Sequence, residues 1–119
     1  MVRNFSRLDR IGDAMKRELA ELIQHHVNDP RVGMVSVTDV KVSRDLAHAK
    51  VFVTFMLPED KIPAAIEALN HAAGYLRYQL AQRIELRVMP ALRFYYDDSS
   101  VRGSRIATLI DEALRDKPS

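Results

Sequence analysis

Apolar residues recur along this chain first at helical spacing, then at strand spacing, then at helical spacing again. Leu8, Ile11, Met15, Leu19, Leu22, Ile23 and Val27 form one helical stripe, with Arg10 and Arg17 pointing away from it. Ser6 and Asp9 precede the stripe as a capping box, Asp9 standing in for the usual Glu. Asn28-Asp29-Pro30-Arg31-Val32-Gly33 stops the helix. Val35 to Ser43 reads as a strand. Its apolar phase slips between Val35/Val37 and Val40/Val42, which predicts a bulge near Thr38-Asp39. A turn at Ser43-Arg44-Asp45-Leu46 follows. Ala47, Ala49, Val51, Val53 and Phe55 then alternate with His48, Lys50, Phe52 and Thr54, a half-buried strand predicted to complete an antiparallel hairpin.

Pro58-Glu59-Asp60 opens a second helical region, with Asp60 as expected N-cap and Pro63 tolerable in the first turn. Ile62, Ala65, Ile66, Leu69 and Ala73 keep helical spacing, and Leu76, Leu80 and Ile84 resume it. Between them lies Ala72-Ala73-Gly74. Gly costs about 1 kcal/mol relative to Ala in a helix interior, and a kink is a common reason to accept that. The pattern predicts a helix–kink–helix running to about Leu86. It opens a new helix N-terminus at Gly74: a kink with dihedrals or contacts closed to larger residues predicts that Gly74→Val destabilises, a straight helix that Gly74→Ala stabilises. Arg87 to Tyr96 reads as a third strand with Val88, Pro90, Leu92, Phe94 and Tyr96 on one face, and Pro90 argues for a strand start or an edge. Asp97-Asp98-Ser99-Ser100, with Ser99 as cap, leads into a last helix carrying Ile106, Leu109, Ile110, Ala113 and Leu114. The order α-β-β-α-kink-α-β-α describes an α+β fold, expected as a single domain over residues 1–119 with helices on one face of a three-stranded sheet.

Composition narrows the function classes. The 119 residues are 47% hydrophobic and 29% charged, and no Cys is present, so disulfides, thiolate metal sites and a Cys nucleophile are excluded. No apolar run approaches the roughly 20 residues of a membrane span, and the first residues lack the apolar run of a secretion signal, so a cytoplasmic location is expected. Net charge is only +2, but residues 1–17 and 71–95 each carry a local +3, which suits an anionic partner.

The kink supplies the sharpest candidate site. A fresh helix N-terminus at Gly74 offers backbone N–H groups and a positive dipole end to a phosphate, and Arg77 lies three residues on. Arg77 and Arg83 flank the Leu76/Leu80/Ile84 stripe, where they could equally cover the core as amphipathic edges. Tyr75 and Tyr78 project outward and could stack on unpaired bases. Asp97-Asp98 could hold magnesium for a small nuclease, although acids at a helix N-terminus are more simply explained by the dipole. His25, His26, His48 and His71 show no metal-ligand spacing, and no Gly-rich phosphate loop or nucleophile elbow occurs, so neither metal nor cofactor is expected.

The element order, with paired helices meeting at a tight corner, resembles the type II K-homology arrangement. The chain as a whole resembles the ribosome-binding factor A family. The resemblance rests on Val37-Thr38-Asp39-Val40, on Ala49-Lys50-Val51-Phe52-Val53 and on Ala72-Ala73-Gly74. Most specific is Pro90-Ala91-Leu92-Arg93-Phe94-Tyr95-Tyr96-Asp97-Asp98-Ser99, which follows the family pattern Pro-x-Leu-x-Phe-x-x-Asp-x-Ser. The resemblance implies a non-enzymatic assembly factor, monomeric, that binds the immature small ribosomal subunit and its rRNA. It also implies a role in late maturation, in pre-rRNA processing and in growth in the cold, with ribosomal proteins as further candidate partners. The corner reads Ala72-Ala73-Gly74 in place of the Gly-x-x-Gly loop that clamps backbone in K-homology domains. Contacts are therefore expected over a wider surface: Gly74, Tyr75, Arg77, Tyr78 and Arg83 at the corner, and Arg10 and Arg17 on the first helix. A nuclease using Asp97 and Asp98, or a module binding a ribosomal protein, are the alternatives.

Overall fold

The structure is a computed structural model that describes residues 6–27 and 29–99. Helix α1 spans Arg7–His26. Its capping box forms as the sequence predicts: Asp9 N–H donates to Ser6 Oγ and Ser6 N–H donates to Asp9 Oδ2, each at 3.2 Å. Ile11, Met15, Leu19, Leu22 and Ile23 are buried along its inner face. Gly12 is buried with them, because there α1 lies almost in backbone contact with the sheet; a Cβ at this position would stand 2.7 Å from the Val40 carbonyl oxygen. After α1 the chain turns through Gly33 at φ +58°, a conformation that glycine adopts without steric cost.

Strands β1 (Val35–Val42) and β2 (His48–Phe55) pair antiparallel, and the register shifts between Val37 and Asp39, the predicted bulge. Thr38 is the extra residue. Its Oγ1 donates to Phe52 O at 3.2 Å or to Asp97 Oδ2 at 2.6 Å. At the hairpin end Asp45 Oδ1 accepts from Ser43 Oγ (2.7 Å) and Ala47 N–H (3.0 Å), which draws its pKa below the ordinary carboxylate value. Leu46 sits at φ +60°, an unusual place for a branched residue, while its side chain packs against the core.

A 3₁₀ turn at Glu59–Lys61 leads into α2 (Ile62–His71). The expected cap at Asp60 is not formed: Asp60 lies inside this turn, Lys61 is the N-cap, and no side chain caps α2. Pro63 falls in the first turn, where its missing N–H costs nothing. Helix α3 (Ala73–Ala81) follows after one residue, Ala72, whose ψ of −1° departs from the roughly −42° of a regular helix. The break therefore lies at Ala72, and α3 starts at Ala73 rather than at Gly74. It ends at Ala81 and does not continue to Leu86, so Arg83 lies in the turn beyond.

Strand β3 (Ala91–Tyr96) starts directly after Pro90, four residues later than the predicted Arg87, and Val88 is 55% exposed instead of facing inward. A proline cannot donate to the ladder, so the pairing begins where Ala91 N–H reaches Ala47 O at 2.9 Å. The α2–α3 crossover carries the chain back to the end of the sheet where β2 began, so β3 runs parallel to β2 and the sheet order is β1-β2-β3. Met15, Leu19, Leu22, Val51, Val53, Leu69, Leu76, Leu80 and Phe94 form the centre of the core between helices and sheet. β3 is an edge strand, and α2 covers part of that edge. Phe94 N–H donates to Asn70 Oδ1 (2.7 Å), and Asn70 Nδ2 donates to Phe94 O (3.1 Å), so one side-chain amide does the work of a neighbouring strand. The predicted last helix, with Ile106, Leu109, Ile110, Ala113 and Leu114, lies outside the described residues.

Candidate functional site

The corner between α2 and α3 brings three of the predicted residues together. Gly74, Arg77, Tyr78, Ala81 and Met89 line a shallow pocket of about 330 Å³. Gly74 is exposed and has nothing within 4 Å of the place a Cβ would occupy. Crowding inside the protein therefore does not explain this glycine, contrary to the expectation of a kink closed to larger residues. What it leaves is bare backbone open to solvent. The N-terminus of α3 has no side-chain cap, which keeps the positive dipole end unblocked.

Arg77 is exposed on α3, but its guanidinium is not loose. Nε and Nη2 both donate to the Met89 carbonyl oxygen, at 3.0 and 2.6 Å. This fork pins the loop before β3 to α3 and holds one fixed positive charge at the pocket. Tyr78 lies beside it, 63% exposed, and Tyr75 is 48% exposed. Both point outward as predicted.

Arg83 is placed differently. Its Nη1 lies 3.1 Å from Glu18 Oε2 and 3.2 Å from Glu21 Oε1 on α1. The hydrogen bond that Arg83 donates to Glu18, with Glu21 adding to it, raises the Arg83 pKa. A cation shared by two carboxylates is a fastener between α1 and the end of α3, and the sequence reading of Arg83 as a corner cation gains nothing from it. Arg10 and Arg17 are exposed on α1, and neither lines the corner pocket.

Asp97 acts as a strap. Its Oδ2 accepts from Thr38 at the bulge and its Oδ1 accepts from Ser99 N–H at 3.0 Å; the residues that the expected Ser99 cap would serve lie outside the described residues. Among the described residues no three His, Asp or Glu side chains gather as a metal site would require.

A second basic surface was not foreseen. Among the described residues, helices cover one face of the sheet. On the other, the registers align Lys41 with Lys50 and Lys50 with Arg93, three cations in one row across three strands, all exposed. In the adjacent row Phe52 faces Tyr95, with ring centroids 5.8 Å apart and planes inclined by 30°. Lys41 lies 6.0 Å from the Phe52 ring, and Lys50 and Arg93 each 5.9 Å from the Tyr95 ring. The alternation in β2 had already set Lys50 and Phe52 on the outer face. The pairing of β2 with β3, which no local pattern reveals, completes the cluster.

Comparison with known proteins agrees with this fold. The family model described as Ribosome-binding factor A matches residues 7–110. The ribosome-binding factor A of Chromohalobacter salexigens is 50% identical over 117 residues, covering 97% of this chain and 89% of that protein. That of Pseudomonas aeruginosa is 52% identical over 116 residues, covering 96% and 90%. Among solved structures, the crystal structure of ribosome-binding factor A from Thermus thermophilus superposes with a TM-score of 0.67 at 32% identity, covering 75% of this chain and 93% of its own. The solution structure of a Thermotoga maritima protein described as a ribosome binding factor A gives 0.71 at 29% identity, covering 80% and 91%. A Thermus thermophilus ribosome binding factor A homology model, fitted into a map of a 30S complex, gives 0.64 at 32% identity, covering 81% and 98%. Matched nearly end to end in sequence, and in its sheet and helix corner by fold, the chain belongs to the ribosome-binding factor A family.

Proposed function

We propose that this chain binds the immature small ribosomal subunit by contacting its rRNA at the α2–α3 corner, and so promotes late maturation and pre-rRNA processing. The observation that carries the reading is Arg77. Its guanidinium is fixed by the Met89 carbonyl beside the bare backbone of Gly74 and the uncapped start of α3. A preset cation next to an open helix N-terminus suits a phosphate and loses little side-chain freedom on binding. The Thermus thermophilus relative fitted into a 30S complex supports a small-subunit partner. The mechanism is mass action: the factor binds one conformation of the immature rRNA and enriches it. Work in the cytoplasm, as a monomer, and in the cold belongs to the same proposal.

Co-sedimentation with immature and mature small subunits tests it. The expected result is preferential binding to the immature particle, with affinity falling as salt rises. Equal binding to both particles, or none to either, overturns the reading.

A further inference from the structure

We propose that the face of the sheet opposite α1, α2 and α3 is a second nucleic-acid surface, which takes a short single-stranded RNA segment with bases on Phe52 and Tyr95 and phosphates along Lys41, Lys50 and Arg93. It goes beyond the corner contact, and rests on the ribosomal reading only in preferring RNA as the strand. The row of cations alone would suit any polyanion. The paired rings decide between them: Phe52 and Tyr95 are only half-buried and lie in register one step from the cations. A partner that supplies negative charge and flat π faces together is a nucleic-acid strand with unpaired bases, and aromatic platforms beside basic grooves are how such strands are held. A base-paired duplex keeps its bases stacked within itself and cannot use the rings. Asp39 faces Phe52 from β1, its Oδ1 accepting from Val40 N–H. That acid sets the polarity of the face: the phosphates run along the Lys41–Lys50–Arg93 row, on the side of the rings away from Asp39 and the bulge.

The chain contains no Trp, so Phe52→Trp introduces a single indole at the platform. Its fluorescence is titrated with an oligouridylate of about eight nucleotides, within the site size of single-strand binders. Quenching is expected, weakening steeply with salt. Lys50→Gln with Arg93→Gln should weaken it severalfold or more, and Lys61→Gln, in the exposed 3₁₀ turn before α2, should leave it unchanged. In the otherwise native chain, followed by anisotropy of a labelled oligomer, Tyr95→Leu should lower affinity roughly 5- to 150-fold, the loss of one stacked base. Melting curves of each variant verify that the fold persists. Absence of quenching, or quenching lost with Lys61→Gln but not with the sheet variants, overturns the proposal. So does inorganic polyphosphate competing as well as the oligomer at equal charge, which would leave only a charged patch. Small-subunit binding is measured in parallel on the native chain; its failure overturns the ribosomal role while the oligomer titration still decides the sheet face.

Discussion

Gly12 on α1 and Val40 on β1 meet backbone to backbone, so closely that a Cβ on residue 12 would stand 2.7 Å from the Val40 carbonyl oxygen. In an exposed helix, Gly→Ala gains up to about 1 kcal/mol from propensity. Here the methyl must push α1 off the sheet, and the contact is with backbone that cannot swing aside. Gly12→Ala is therefore expected to destabilise by about 1–3 kcal/mol, the usual range for overpacking. A denaturant melt that finds the variant as stable as the native chain would show that α1 can shift freely.

Gly74 should respond with the opposite sign. Nothing lies within 4 Å of its missing Cβ and its φ is not in the left-handed region. Gly74→Ala is expected to raise stability by roughly 0.4–1 kcal/mol through the unfolded state. If rRNA backbone approaches here, the same variant binds immature small subunits more weakly. A melt and a binding curve on one protein separate the two roles.

Arg77 and Arg83 are both exposed arginines near the end of the second helical region, and they should behave differently. Arg77→Gln removes the fork to Met89 O and the corner cation, so it should weaken small-subunit binding and reduce the salt slope by about one phosphate contact. Arg83→Gln only frees Glu18 and Glu21, and solvent-exposed pairs of this kind contribute little. Equal losses of binding in the two variants would mean that the whole end of α3 is buried on the subunit.

Asn70 occupies both edge-facing groups of Phe94. Asn70→Leu keeps the volume and orphans the Phe94 N–H and C=O, at a cost of about 1–3 kcal/mol. Asn70→Asp keeps an acceptor for the N–H but sets a carboxylate against the carbonyl, so it should recover only part of the loss. Thermal melts of the pair, at neutral pH, rank them.

Acid should loosen the hairpin turn. The Ser43 hydroxyl, then Ala47 N–H, hold the Asp45 carboxylate below its ordinary pKa of 3.8. A depressed carboxylate lends stability above that ordinary value, and the contribution is lost as pH falls through the lower folded value. Asp45→Asn should therefore be less stable than the native chain at neutral pH, and the gap should narrow below about pH 4. A gap that stays constant with pH would assign the effect to geometry alone.

Much of the fold is local enough to read from the chain. The Ser6/Asp9 box, the phase slip at Thr38 and the alternation from Ala47 to Phe55 each act within a few residues, and each forms as expected. Errors gather where distant backbone decides. Asp60 offers a cap, but a 3₁₀ turn takes its place. The two carboxylates that meet Arg83 come from α1, and no local pattern announces them. The site divides in the same way: Gly74, Arg77 and Tyr78 lie within one turn of each other and could be found by spacing. Lys41, Lys50 and Arg93 come from three strands, and only the sheet order sets them side by side.

That row has a consequence for the protein when nothing is bound. Like charges facing each other across neighbouring strands repel, and the rings beside them offset only part of it. The empty face is thus held in mild tension, which dissolved ions relax. Raising the salt should firm up the free protein over the same range in which it loosens the grip on an anionic partner. The three side chains would then give two curves of opposite slope, one for folding and one for binding.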